Sequence, residues 1–339
     1  MPIDLRSDTI TLPTDGMREA MYKAELGDDV IKEDPTVNEL QEYSAALLGK
    51  EAALFMPSGT MANLTAIMSH TKERGCEIIA GAGSHIFLNE AGGYAHIAGV
   101  SIRTINDTEG FLNQNEMLSA IRDPDNIHHP RTKLICMENT HNTCGGTVIP
   151  LEKLRQLTAQ TNIPCHLDGA RIFNAAAYLD VQPSSISVFF DSVMFCLSKG
   201  LCAPVGSVLT GSREFIDTAV RIRKMLGGGM RQAGVLAAAG LVALKTMRQR
   251  LVSDHETARM IAEGICDIKG ISLDLETVQT NMVRFSVDNA SVFNEKLKEH
   301  GLLAYAIGSR YIRLVTHRHI DKKSAREAIS IIAAAARGL

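Results

Sequence analysis

The alternation of short apolar runs with helical segments between residues 52 and 209 is the feature that most restricts the fold of this chain. Fully apolar strands that alternate with helices are typical of a mainly parallel sheet with both faces covered. The helical segments include "TMANLTAIMSH" and "PLEKLRQLTAQ". The strand-like runs are "AALFM", "CEIIAG", "KLICME", "IPCHLD", "SVMFCL" and "GSVLTG". We therefore predict an α/β fold with a large domain built on a mainly parallel mixed sheet.

The segments on either side of this alternation predict the domain organisation. Residues 1–15 lack a helical period and predict an extended arm that must lie on another part of the protein to be ordered. Residues 16–250 are predicted to form the large domain. Residues 251–339 contain the strand-like runs "NMVRFSV" and "YIRLVTH" with helical patterns beside them, which predicts a smaller α+β domain.

Three local signals predict helix boundaries. Asp34 is a candidate N-cap with Pro35 in the first helical position, and Gly49 is expected to end that helix. The very apolar stretch 227–247 predicts one long helix. Ser253 and Glu256 have the spacing of a capping box for the helix that follows.

Composition excludes several classes of partner and location. The 339-residue chain has a net charge of −3 and no basic run, so we predict neither nucleic acid nor an anionic membrane as a partner. No apolar run is long enough for a membrane span, and the charged start does not resemble a signal peptide. Seven cysteines without a C-x-x-C spacing favour a reducing, cytoplasmic environment over a disulfide framework, and they predict no metal site.

The residues that follow the predicted strands are the candidate functional residues, because ligands of open α/β sheets bind beyond the carboxyl ends of the strands. After "AALFM", the turn at residues 57–60 enters a helix and offers free N–H groups to a phosphate, although an ordinary tight turn has the same pattern. After the next strand, His85 could contact a flat ligand or transfer a proton, or could be an interior histidine with hydrogen bonds.

Two further strand ends carry charged residues. Asp168 follows "IPCHL" and is costly to bury unless it faces a cation, and Arg171 is either that cation or a ligand for a substrate carboxylate. Lys199 stands between two apolar runs, and burial favours the neutral amine, which is a nucleophile toward carbonyls. An anion cradle, an imidazole, a carboxylate and a lysine are together what pyridoxal phosphate requires. We therefore predict this cofactor.

The sequence also resembles the low-specificity L-threonine aldolases, which are pyridoxal-phosphate enzymes of fold type I. The resemblance extends from the arm into the C-terminal domain. It is carried by "IDLRSDTITLPT", "GDDV", "EDPTVNELQ", "PSGTMANL", "ENTHN", "HLDGARIFNAA", "CLSKGLCAPVGSVL" and "GGGMRQAG". It implies cleavage of L-threonine, L-allo-threonine and other β-hydroxy-α-amino acids to glycine and an aldehyde.

The resemblance implies a role for each matching residue. Lys199 would bond to the cofactor aldehyde, Asp168 would pair with the ring nitrogen, and His85 would stack on the ring. Ser58, Gly59 and Thr60 would hold the phosphate, and Arg231, with Lys224 as a weaker candidate, would reach that region from a neighbouring subunit. Ser7, Arg171 and Arg313 would bind the substrate carboxylate. His85 is the first candidate for the base that accepts the β-hydroxyl proton, and His128 is the second.

The resemblance also implies assembly, with active sites at a dimer interface in a homotetramer. One departure stands at Ile31 and Lys32, where the family usually has tyrosine and glycine. An aliphatic residue in place of tyrosine is expected to alter substrate preference but not cofactor binding. The alternatives that remain are an aminotransferase or a β-eliminating lyase of the same fold, and a non-enzymatic protein in which Asp168 and Lys199 form a structural ion pair.

Overall fold

The computed structural model describes residues 2–337. Met1 of the predicted arm and residues 338 and 339 of the predicted C-terminal domain therefore lie outside the described residues. The strands are β1 (Ile3–Asp4), β2 (Ala52–Met56), β3 (Glu77–Gly81), β4 (Ser101–Ile105), β5 (Thr132–Glu138), β6 (Cys165–Asp168), β7 (Ser192–Cys196), β8 (Ser207–Gly211), β9 (Met282–Ser286), β10 (Leu302–Leu303), β11 (Tyr305–Ile307) and β12 (Tyr311–Val315).

The α-helices alternate with the strands in the first two thirds of the chain and flank the smaller sheet after that. They are α1 (Asp15–Lys23), α2 (Pro35–Leu48), α3 (Gly59–His70), α4 (His85–Leu88), α5 (Gly93–His96), α6 (Gln114–Ala120), α7 (Leu151–Thr158), α8 (Ile172–Leu179), α9 (Ser184–Ser187), α10 (Arg213–Met225), α11 (Gly234–Val242), α12 (Leu251–Ile265), α13 (Ala290–Glu299) and α14 (Lys322–Arg337). No helix within residues 2–337 is long and apolar enough to cross a membrane.

A seven-stranded mixed sheet in the order β2-β8-β7-β6-β5-β3-β4 forms the centre of the molecule. Strands β3 to β7 pair in parallel, whereas β8 runs antiparallel to both of its neighbours. The six predicted apolar runs correspond to β2, β3 and β5 to β8. The edge strand β4 was not predicted, because its half-exposed "SIRTI" lacks a continuous apolar run.

The helix signals were partly confirmed. Asp34 caps α2 by accepting a hydrogen bond from the Val37 N–H, and Gly49 ends that helix in the left-handed conformation. The long helix predicted for 227–247 is wrong in its first third: α11 begins only at Gly234, after an irregular glycine-rich segment, and continues into a π-helical turn at Ala243–Met247. The capping box is also wrong, because α12 begins at Leu251 and Ser253 lies inside its first turn.

A second core surrounds a three-stranded sheet in the order β11-β12-β9. The N-terminal segment lies on this part of the molecule: β1 pairs in parallel with β10, and Leu5 is completely buried in the second core. The segment then crosses to the large sheet, where the Thr11 hydroxyl donates to the Lys199 carbonyl at 2.8 Å. The N-terminal segment therefore connects the two sheets at the ends of β6 and β7. It is not extended throughout, because Asp8–Ile10 form a 3-10 helical turn and α1 begins at Asp15.

Candidate functional site

A cavity of about 320 Å³ opens at the carboxyl ends of the parallel strands, where the sheet topology was expected to place a ligand. Its wall combines polar groups with a few apolar side chains, so it can hold a flat, charged molecule. The lining residues are Thr9, Pro57, Ser58, Gly59, Thr60, Asn63, His85, Glu90, Asp168, Ala170, Met194, Cys196, Ser198, Lys199, Pro204, Val205 and Gly206.

One end of the cavity is the turn from β2 into α3. Ser58 is the N-cap of α3 and accepts a hydrogen bond from the Met61 N–H at 3.2 Å, so the helix begins with its amide groups directed at the cavity wall. A Cβ atom on Gly59 would lie 2.9 Å from Met194 Cε and 3.0 Å from Cys196 Sγ. Glycine therefore lets the backbone sit against the sheet. Free amides, hydroxyls and the positive end of the helix dipole suit an anion such as phosphate.

Asp168 ends β6 with only 3% of its surface exposed. Its Oδ1 accepts from the Ala170 N–H at 3.1 Å, and its Oδ2 accepts from Asn63 Nδ2 at 2.8 Å. These two donors fix the plane of the carboxylate. A buried carboxylate held in this way is suited to a positively charged ring nitrogen.

His85 begins α4 on another wall of the cavity. Its Nδ1 lies 3.0 Å from Glu90 Oε1, and its backbone N–H donates to Glu138 Oε2 at 2.7 Å. The hydrogen bond to Glu90 raises the pKa of His85 above its usual value, against the opposing effect of burial, and nearby Asp168 adds to the rise. Burial in turn raises the pKa of Glu90. The ring is therefore both oriented and made more basic by its neighbours.

Lys199 follows β7 and is half-buried on the cavity wall, neither directed wholly into solvent nor sealed off. Its carbonyl accepts hydrogen bonds from the Thr11 hydroxyl and from the Cys202 N–H, both at 2.8 Å. The backbone of the lysine is thus fixed from both sides while its side chain shares the cavity with Asp168. Such an amine can reach a carbonyl group held beside it.

The two arginines proposed to bind a carboxylate lie close to each other but have different partners. Arg171 donates to Asp8 through Nε at 2.8 Å and Nη2 at 2.6 Å, and both residues are almost completely buried. Burial opposes ionisation of Asp8, but Arg171 outweighs it and lowers the pKa of Asp8 to about 2. Arg313 donates to Asn142 Oδ1 at 2.8 Å and leaves its buried Nε without a hydrogen-bond partner.

Six of the residues named from the sequence do not line this cavity within one chain: the two arginines described above and His128, Arg231, Lys224 and Ser7. His128 is exposed on the loop before β5. The length of that strand, about 20 Å, separates this loop from the end of β5 at the cavity. Arg231 is exposed and pairs with Asp28 at 2.7 Å, and Lys224 is also exposed. Ser7 is buried, and its hydroxyl accepts from the Thr9 N–H and hydroxyl, one turn of chain from the cavity.

The departure at Ile31 and Lys32 has a structural counterpart. Ile31 is 61% exposed and does not line the cavity, so within one chain it contacts nothing in the site. Lys32 has a φ of 62°, the left-handed region that favours the glycine usual in the family. The local backbone therefore keeps its shape without glycine.

Sequence reasoning missed Asn63, Glu90 and Glu138, which contact the site residues directly. Asn63 lies one turn into α3, and Glu90 lies after α4. Neither directly follows a strand, so the search for functional residues at strand ends could not find them. The only signal was in the motifs themselves, since "PSGTMANL" contains Asn63 and "ENTHN" contains Glu138.

Comparisons with known proteins agree with this geometry. Residues 4–288 match the beta-eliminating lyase family. The low specificity L-threonine aldolase of Escherichia coli K12 is 46% identical over 96% of each chain, and low-specificity L-threonine aldolase 1 of Arabidopsis thaliana is 44% identical over 97% of this chain and 94% of its own. The structure of Leishmania major threonine aldolase superposes with a TM-score of 0.85 at 19% identity, covers 99% of this chain and 100% of its own, and confirms the predicted fold. The chain belongs to the beta-eliminating lyase family and, within it, to the group of low-specificity L-threonine aldolases.

Proposed function

We propose that this protein uses pyridoxal phosphate to cleave L-threonine, L-allo-threonine and other β-hydroxy-α-amino acids into glycine and an aldehyde. The observation that carries this proposal is the convergence of Lys199, Asp168, His85 and the turn at residues 57–60 on one cavity. Its relatives named above bear the name of this activity.

The residues present fit the cofactor in charge and in hydrogen-bonding capacity. Ser58, Gly59 and Thr60 at the start of α3 would hold the phosphate, and Asp168 would hold the ring nitrogen in its protonated form. His85 would lie against the ring, and Lys199 would bond to the aldehyde carbon. When bound there, pyridoxal phosphate supplies an electron sink for the charge that develops at the substrate Cα.

Ser7, Arg171 and Arg313 would bind the substrate carboxylate. The two guanidinium groups are close enough that burial, together with the charge of Arg171, lowers the pKa of Arg313 to about 10. An incoming carboxylate would relieve this repulsion and would occupy the donors that Arg313 leaves unused. Fixing the carboxylate orients the Cα–Cβ bond that breaks.

His85 would accept the proton of the β-hydroxyl group as the Cα–Cβ bond breaks. It lines the cavity, and the hydrogen bond to Glu90 raises the pKa of His85 and so strengthens it as a proton acceptor. His128 remains the second candidate, but it could act only from a neighbouring copy of the chain, because its own cavity lies at the other end of β5.

The same reasoning supports an assembly. Arg231 and Lys224 are exposed, so a role near the phosphate would require them to project into the cavity of a neighbouring subunit. A homotetramer with active sites at the dimer interface provides that arrangement.

The seven free cysteines suit the reducing cytoplasm. One hydrophobic cluster surrounds the small sheet and three others cover the large sheet, which supports a division into an arm (1–15), a large domain (16–250) and a small domain (251–339).

Replacing Lys199 with alanine tests the proposal. The variant is expected to lose nearly all cleavage of L-threonine and the visible absorbance of the bound cofactor, whereas Lys298→Ala, which changes an exposed lysine paired with Glu295, should retain both. Normal turnover by the Lys199 variant would contradict the assignment.

Product analysis of the wild type separates the alternatives: glycine and acetaldehyde support the aldolase, whereas a keto acid indicates an aminotransferase or a β-eliminating lyase. Protein that stays colourless with added pyridoxal phosphate indicates a binding protein.

A further inference from the structure

Glu90 is a buried carboxylate on the cavity wall that bonds to His85 but has no part in the proposed reaction so far. Only 7% of its surface is exposed. One of its oxygens, Oε1, lies 3.0 Å from His85 Nδ1 and accepts a hydrogen bond from Asn63 Nδ2 at 2.8 Å. Burying a carboxylate is costly unless its partners are well placed. The position of Glu90 between an imidazole and an amide therefore calls for a function.

The amide of Asn63 donates two hydrogen bonds, to Glu90 Oε1 and to Asp168 Oδ2, both at 2.8 Å. The opposite orientation would place the amide oxygen against two carboxylates. The observed orientation leaves Asn63 Oδ1 facing His166 Nε2 at 3.1 Å. Because an amide oxygen can only accept, Nε2 of His166 carries a proton.

A chain of buried groups behind Asn63 keeps this orientation. Burial, together with the nearby His70, lowers the pKa of His166 to about 3, so the ring is neutral and its Nδ1 is an acceptor. Nδ1 lies 2.8 Å from the Ser192 hydroxyl, which therefore donates to it. The same hydroxyl oxygen lies 2.8 Å from His70 Nε2 and accepts from it. Each group in this series thus donates to the next one, and the series ends at the carboxylates of Glu90 and Asp168.

From this geometry we infer that Glu90 is a positioning residue for His85: its carboxylate holds the imidazole proton on Nδ1 and leaves Nε2 as the nitrogen that meets the ligand. Within residues 2–337, Nε2 of His85 has no hydrogen-bond partner, whereas Nδ1 is held by Glu90. A histidine that is fixed in this tautomer presents a lone pair to the cavity. This is what acceptance of the β-hydroxyl proton requires, and in that respect the inference rests on the proposed function.

Several charged groups surround His85 and set its titration together. Glu90, Asp168 and Glu138 are acidic and favour the protonated ring. Lys199 lines the same cavity and opposes it if charged. Glu90 is the acid that bonds to the ring itself, so its removal should have a larger effect than the more distant charges.

The variant Glu90→Gln tests this inference because it removes the charge and keeps the shape. The protein is labelled with ¹⁵N in the histidine rings, and the His85 signals are identified by their loss in His85→Gln. In the wild type with pyridoxal phosphate bound, we expect the neutral ring to carry its proton on Nδ1. In Glu90→Gln, the midpoint of His85 titration should fall by about one pH unit.

Glu77→Gln is the matched control. Glu77 is also a buried glutamate and is bonded to Arg122 at 3.0 Å, but it lies at the opposite end of β3 from the cavity. This variant should leave the His85 midpoint unchanged. Repeating the titration without cofactor provides a second measurement that does not depend on turnover.

Two results would overturn the inference: an unchanged His85 midpoint in Glu90→Gln, or a neutral wild-type ring with its proton on Nε2. The acid limb of the pH profile of kcat/KM for L-threonine should shift in the same direction and by a similar amount. If the ring titration shifts but the wild type does not cleave L-threonine, the inference about Glu90 stands and the proposed function fails.

Discussion

Arg171 and Arg313 are both proposed to bind the substrate carboxylate, but only one of them has an ion-pair partner within the protein. Arg171 follows β6 of the large sheet, and both of its bonds in the structure go to the buried carboxylate of Asp8. Arg313 lies on β12 of the small sheet beside Tyr305, with its guanidinium 5.7 Å from the ring centroid, and forms no ion pair with any carboxylate in the described part of the chain. One arginine is neutralised within the protein and the other is not.

Under the proposed function, this difference would let the site distinguish a carboxylate from a neutral group. The buried guanidinium of Arg171, the half-buried guanidinium of Arg313 and the buried carboxylate of Asp8 together leave one positive charge without an ion-pair partner. A single α-carboxylate balances it. Under the proposed function, the region of Arg171 would contribute mainly rigidity and stability, whereas the region of Arg313 would contribute mainly attraction for the substrate.

The largest expected effect is on stability, from Asp8→Asn. It leaves Arg171 buried without its counter-charge, and we expect a loss of about 3–5 kcal/mol in the free energy of unfolding. Urea denaturation measures it. Asp4→Asn is the control, because Asp4 pairs with the partly exposed Arg6 and should cost about 1 kcal/mol or less. Equal losses in the two variants would mean that the Arg171 region has no special role in stability.

The next effect is on catalysis, from Arg313→Gln. Removal of the uncompensated charge should lower kcat/KM for L-threonine about 100- to 1,000-fold, while the free energy of unfolding changes little. Arg284→Gln is the matched control, since Arg284 lies opposite Arg313 in the neighbouring strand β9 but its guanidinium lies over the Tyr311 ring, 3.7 Å from the centroid. If Arg284→Gln lowers kcat/KM as much as Arg313→Gln does, the loss results from disturbance of the small sheet and not from removal of the Arg313 charge.

The pH dependence of stability should also distinguish the regions. The folded-state pKa of Asp8 is about 2, below its usual 3.8, so its contribution is complete above pH 3.8 and is lost as the pH falls through 2. Between pH 5 and pH 3 the difference in unfolding free energy between wild type and Asp8→Asn should shrink by about 1 kcal/mol. A difference that stays constant over this range would show that Asp8 is not ionised in the folded protein.

The smallest effect concerns the orientation of Arg313. Asn142→Ala removes the acceptor at 2.8 Å from Nη1 but keeps the charge. We expect KM for L-threonine to rise about five- to tenfold with little change in stability. An unchanged KM would indicate that the charge of Arg313 suffices without its fixed orientation.

The sequence predicted the large sheet well because its strands are buried on both faces and therefore read as continuous apolar runs. It missed β4, whose edge position leaves it half-exposed. It misplaced the start of α11, because the segment before that helix is irregular and glycine-rich although its composition is apolar. The prediction of Ser253 as an N-cap was also wrong, because the position where a helix begins depends on packing as well as on the spacing of capping residues.

The candidate site was predictable where each residue follows a strand, as Asp168 and Lys199 do. The partners of those residues were not predictable, because Asn63 contacts Asp168, and Thr11 contacts Lys199, only through tertiary packing of segments more than 100 positions apart. The carboxylate that neutralises Arg171 comes from the N-terminal segment, 163 positions away along the chain. No local pattern contains that contact.

The central claim is that Lys199 is the amine that bonds to pyridoxal phosphate. Incubating the protein with the cofactor, reducing it with borohydride and mapping the peptides by mass spectrometry tests this claim most directly. We predict a single stable modification, on the peptide that contains Lys199. A modification on another lysine, or none at all, would contradict the account.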